Sequence, residues 1–142
     1  MTLLESETDM YGFSLSYQGS FEQAIAAATE ALGEEGFGIL TEIDVAKTLN
    51  TKLGVEIRPY TILGACNPQL AHRALGAEPD IGLLLPCNVV VREEADGTVS
   101  VVFMDPHAVL ALTDNSAVAE IAGEARQRLQ RVYDTLAARE AA

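Results

Sequence analysis

Two cysteines and two histidines carry most of the chemistry available to this chain. Cys66 stands in Gly64-Ala65-Cys66-Asn67-Pro68 and Cys87 in Leu85-Pro86-Cys87-Asn88. An Asn-Pro pair opens helices, because asparagine caps and proline suits the first turn. Cys66 therefore falls just ahead of a helix, where aligned peptide dipoles favour the thiolate. Each cysteine is followed by an asparagine, Asn67 and Asn88, whose amide can bond a sulfur or cap a turn. His72 and His107 are the only imidazoles. If all four met they would make a Cys2His2 set, but their spacing matches no zinc pattern, so no metal is assigned. Against this stands a plainer reading, in which a free cysteine is simply a small buried hydrophobe. His72 lies beside the apolar stripe of its helix, and His107 can merely satisfy a loop carbonyl.

Other charged groups point less far. Glu42 and Asp44 flank a strand end and can form a general acid–base pair, although capping a helix accounts for Asp44. Glu34-Glu35 and Glu93-Glu94 read as solvated turns. Arg126, Arg128, Arg131 and Arg139 gather on the last helix, as a solvated face or as a patch for the acidic surface of a second copy. Gly33-Glu34-Glu35-Gly36-Phe37-Gly38 has three glycines, but in the reverse order of the dinucleotide fingerprint and before a strand. There is no Walker loop, HExxH, CxxC or nucleophile elbow.

The elements that must position these residues follow from periodicity. Tyr11, Phe13, Leu15 and Tyr17 alternate with small polar residues, which predicts a strand. Ser20 and Gln23 have capping-box spacing ahead of a helix carrying Phe21, Ile25, Ala28 and Leu32, ended by Gly33 or Gly36. A second strand is expected over 37–43, with Phe37, Ile39, Thr41 and Ile43 on one face, then a short helix capped by Asp44. Tyr60 to Ala65 predicts a third strand and Asn67-Pro68 a third helix. The state of 80–85 stays open. Cys87–Arg92 and Thr98–Met104 make a hairpin through Asp96-Gly97. Asp105-Pro106 stops the ladder, and a long helix runs over 116–139. This order predicts an α+β fold, a mainly antiparallel sheet of about five strands with helices on one face.

Composition sets the boundaries. With 142 residues, 49% of them hydrophobic, the chain suits one folded domain. Residues 1–10 read as an N-terminal extension and 11–142 as a single α+β domain. A net charge of −12 repels phosphate backbones and argues against nucleic acid. No apolar run is long enough for a membrane span or a secretory signal. Two cysteines are too few for a secreted disulfide framework. A soluble cytoplasmic protein is expected.

The run GACNPQLAHRALGAEPDIGLLLPCNVVVR, residues 64–92, resembles the uncharacterised family catalogued as domain of unknown function 302. The likeness is carried by its Gly-Ala-Cys-Asn-Pro, Ala-His-Arg-Ala-Leu and Leu-Pro-Cys-Asn-Val segments, and its register extends from Tyr11 to the final helix. The resemblance implies a TATA-binding-protein-like α+β domain, an antiparallel sheet backed by helices, and homodimers. It implies no activity, and a shared fold is no argument for DNA binding. The function expected first is a homodimeric module that binds a small molecule or a partner against its sheet. The alternative is a thiol-dependent redox or metal-binding protein using Cys66 and Cys87, and a third is a purely structural dimeric subunit. No cofactor is assigned, and whether the chain is an enzyme stays open.

Overall fold

Strict alternation in Gly12–Tyr17 gives β1, whose Phe13 and Leu15 turn to the core while Ser14 and Ser16 face away. The structure, a computed structural model, describes residues 10–141, with side chains to residue 138; all but Met10 of the expected extension lies outside them. Ser20 then caps α1 (Phe21–Glu34) with both halves of a capping box: the Gln23 amide donates to Ser20 Oγ at 3.1 Å, and the Ser20 amide to Gln23 Oε1 at 2.8 Å. Next come β2 (Gly38–Asp44), α2 (Val45–Leu53), β3 (Tyr60–Cys66) and α3 (Pro68–Ala77). A 3₁₀ turn over Pro79–Leu84 settles the segment left open, and the Leu85–Pro86 peptide that follows is cis. The hairpin β4 (Cys87–Glu93) and β5 (Val99–Met104) closes through 94–98, where Asp96 accepts from the Thr98 amide and hydroxyl. Asp105-Pro106 ends the ladder by opening a short helix, α4 (Pro106–Leu110), before α5 (Ser116–Ala141).

The five strands form one sheet in the order β1-β5-β4-β3-β2, antiparallel at every step. The expected α+β class and five-strand sheet are what the chain adopts. One expectation fails. Phe37, Ile39, Thr41 and Ile43 do not share a face, because the register of β2 slips between Ile39 and Thr41. The extra residue of this bulge, Leu40, is 67% exposed, and beyond it the alternation is inverted. Ile39 lies opposite Ala65 on the core side, whereas Thr41 and Ile43 lie opposite Gly64 and Ile62 on the other side.

The core forms two clusters. Alternate strand residues such as Leu63, Val89, Val101 and Phe103 pack under Ala28 and Leu32 of α1 and Leu129, Val132 and Leu136 of α5. Beyond the end of the sheet, Leu70 and Ala74 of α3 join Ile81, Leu110 and the first half of α5, through Val118, Ile121 and Ala125. α5 is long enough to serve both.

The reverse face of the sheet contributes nothing to either cluster. Its central row runs Ser14, Val102, Val90, Ile62, Ile43 across the five strands, flanked by Ser16, Ser100, Arg92 and Tyr60 on one side and Gly12, Met104, Asn88, Gly64 and Thr41 on the other.

Gly64 is the tightest point on that face. A Cβ there would run into the Thr41 hydroxyl and come within 3.0 Å of Pro86 Cγ. Gly64→Ala should lower stability by about 1–3 kcal/mol, as overpacking does, read as a lower urea midpoint. Adding Thr41→Ala should restore part of the loss.

Candidate functional site

The antiparallel pairing of β3 with β4 sets Ala65 opposite Cys87, so Cys66 and Cys87 sit at the same sheet end. Both line a cavity of about 40 Å³ at the seam between the two core clusters. Phe37, Ala65, Leu85 and Pro86 wall it from the sheet side, and Leu70, Ala74, Leu110, Ile121 and Ala125 close it from the helices. Cys66 is partly exposed, while Cys87 keeps only 7% of its surface. Neither is in a disulfide. Burial pushes the Cys87 thiol up to about 12, and the neighbouring Cys66 adds to the effect by disfavouring a second negative charge.

Asn67 proves to be a cap. Its Oδ1 accepts from the Leu70 amide at 3.2 Å, and Pro68 follows at the first helical position. The same side chain reaches back through Nδ2 to the Glu35 carbonyl at 3.5 Å, a long bond that marks a close approach more than a strong interaction. Arg128 of α5 meets that carbonyl too, through Nη1 at 3.1 Å. Gly36, at φ +85°, makes the turn; a Cβ there would stand 2.9 Å from Asn67 Nδ2. This knot fixes the residues just ahead of Phe37 against the first turn of α3, and so sets one wall of the cavity.

The remaining candidates lie elsewhere. His72 is exposed on α3, and His107 is exposed in the first turn of α4, its amide donating to the capping Asp105 carboxylate at 2.9 Å. Neither lines the cavity. Asn88 is exposed on the reverse face, opposite Gly64. Among the described residues, no three His, Cys, Asp or Glu side chains gather closely enough to share a metal ion. Asp44 caps α2 by accepting from the Lys47 amide at 2.8 Å, which leaves Glu42 exposed without it as a partner in acid–base work.

Arg126 and Arg128 of the last helix are half-buried, while Arg131 stays exposed. Arg126 stacks over the Phe13 ring at 3.8 Å and pairs with Asp105 at 3.5 Å, and Arg131 pairs with the Glu35 carboxylate at 2.9 Å. Arg139 has no described side chain. The walls of the cavity were invisible in the sequence because Phe37, Leu110, Ile121 and Ala125 read as ordinary apolar positions. Of the two glycines expected to end the first helix, Gly33 lies within it and Gly36 makes the turn beside the cavity.

A family model described as "Domain of unknown function DUF302" matches residues 13–136. The crystal structure of an uncharacterized conserved DUF302 protein from Bacillus stearothermophilus superposes with a TM-score of 0.83 at 31% identity, covering 90% of this chain and 99% of that one. No curated protein matches the chain.

A thiol held protonated by burial should resist alkylation. Iodoacetamide at pH 8 should modify Cys66 and leave Cys87 free until the chain is unfolded, read by mass spectrometry of the peptides. The raised value also has a sign for stability. Between the ordinary thiol range near 9 and about 12, the unfolded chain loses the Cys87 proton and the folded one keeps it. Stability should therefore fall as pH rises through that window, and Cys87→Ala should remove this part of the slope.

Proposed function

The chain belongs to the DUF302 family, a membership that fixes a fold and leaves the activity to its own geometry, from which we propose a dithiol module in which Cys66 reacts and Cys87 resolves. One observation carries this reading: two free cysteines line one cavity, and among the described residues no imidazole or carboxylate lines it with them. Cys87 stands opposite Ala65 in the β3–β4 ladder, which makes Cys66 its diagonal neighbour at that end of the sheet. The size of the cavity supports the same reading over an organic ligand, since pockets for those are about 300–1,000 Å³.

The chemistry is thiol–disulfide exchange. The Cys66 thiolate attacks a small disulfide, one sulfur bonds to Cys66, and the other leaves as thiolate. Cys87 then attacks the Cys66 sulfur, the Cys66–Cys87 bond forms, and the second thiol departs with the Cys87 proton. Incubation with glutathione disulfide should remove two hydrogens from the intact mass with no glutathione retained. Cys87→Ser should stop at a mixed disulfide on Cys66. A mixed disulfide that persists in the unaltered chain would remove the resolving role.

A second reading, a homodimeric partner-binding module, is favoured by the reverse face of the sheet. The chain has 21 acidic residues, yet no Asp or Glu occupies the three rows described above. Arg92 is the one charge there. It pairs at the rim with Glu94, which also accepts from the Ser100 hydroxyl at 2.6 Å. Interface cores are depleted of charge, and a face whose rim carboxylate, Glu94, is paired with Arg92 is where so acidic a chain can meet a second copy with little like-charge repulsion. Native mass spectrometry should find a dimer, and Val90→Glu in the middle row should convert it to monomer without unfolding it.

A further inference from the structure

We infer that residues 40–59, an arm made by the end of β2, all of α2 and the extended chain before β3, form the surface through which two copies of this chain pair. This rests on the homodimeric reading above and names the part of the chain that closes the pair.

The arm is well formed but uncovered. No residue from 40 to 59 is buried, and Leu40, Ile43, Leu53, Val55 and Ile57 stand exposed in it. α2 carries an apolar stripe of Val45, Leu49 and Leu53, none of which is buried. Its ends are nonetheless specified. Asp44 accepts from the Lys47 amide at 2.8 Å, Gly54 turns left-handed at φ +72°, and Asn50 Nδ2 donates to the Val55 carbonyl at 3.2 Å. Isolated helices shorter than about 12–15 residues are marginal in water, and burial of an apolar stripe is what normally holds them. With nine residues, α2 needs a cover that the described residues do not supply.

Charge says what the cover is. The arm sets Glu42, Asp44 and Glu56 against Lys47, Lys52 and Arg58, so it carries no net charge in a chain of −12, and it holds both lysines of the sequence. None of these six side chains is in an ion pair among the described residues. A two-fold contact sets a patch against itself, and a patch of mixed sign can then place its cations on the carboxylates of the other copy. The length of the arm is near the roughly 20–30 residues that each side of a stable interface takes. Thr41 and Ile43 also stand on the reverse face of the sheet, so arm and face make one continuous surface. Between the first turns of α1 and α2 opens a groove of about 270 Å³, with Phe21, Ala46, Ile57 and Tyr60 among its walls, which offers Leu53 of a second copy an apolar seat.

The tests are sedimentation velocity over a concentration series and lysine cross-linking of the unaltered chain. Leu53→Glu, at a side chain 70% exposed, should raise the dimer dissociation constant by ~30-fold or more, as loss of a central contact does. Leu83→Glu, at an 87% exposed leucine on the 3₁₀ turn, should leave it unchanged. In a mixture of isotope-labelled and unlabelled chains, Lys47 and Lys52 should cross-link between copies, a result that needs no variant to fold. Equal dissociation by both leucine variants, or no cross-link between copies, would overturn the arm as the interface. If Val90→Glu dissociates the dimer and Leu53→Glu does not, the arm fails alone. If Leu53→Glu acts and Val90→Glu does not, the arm stands without the reverse face. A chain that sediments as a monomer at every concentration removes the homodimeric reading and the arm together.

Discussion

The register of one strand pair governs most of what this molecule can do. Between Cys66 and Cys87 the chain leaves the sheet, makes α3 and a 3₁₀ turn, and returns as an antiparallel neighbour with Cys87 opposite Ala65. A shift of one residue would send Cys87 to the opposite face of the sheet. The alternating Val89 and Val91 would move out of the core with it, so hydrophobic burial holds the thiol in place. That burial in turn keeps the thiol neutral. Packing and reactivity are thus set by the same ladder of backbone bonds.

The seam between the two core clusters gives the site its character. One cluster is held by the sheet, α1 and α5, the other by α3, α4 and the beginning of α5, and the cavity is where neither fills the space. Glu35 is the fastener. Its carbonyl is approached by Arg128 from α5 and Asn67 from α3, while its carboxylate pairs with Arg131. Three elements far apart in sequence meet on one residue that by itself reads as a solvated turn.

Local signals in the sequence were accurate where the cause is local. Ser20 with Gln23, Asn67 with Pro68, and Asp96 with Gly97 each specify their geometry within a few residues, and each element begins or turns where those residues say. Placement of both cysteines at one sheet end was also legible, given an antiparallel β3–β4 pair. What could not be read was non-local. The bulge at Leu40 inverts the faces of β2 with no glycine at the bulge itself, and Arg126 of α5 looks solvated until its partners Phe13 and Asp105 are known. The histidines had the right chemistry for a metal set, but their helices carry them to the surface.

The strand order has a consequence for how the chain is born. β1 lies at one edge of the sheet and β2 at the other, with α1 carrying the chain across between them. Among the described residues β1 bonds only to β5, so residues 12–17 lack that ladder until residues 99–104 exist. A nascent chain emerging from the ribosome therefore holds Phe13 and Leu15 without their strand partners through most of its synthesis. Folding closes late, on a contact between the two ends of the domain, and pairings of such long loop span are slow to form. Any fragment that stops before the hairpin carries an unmatched first strand, a natural substrate for chaperones.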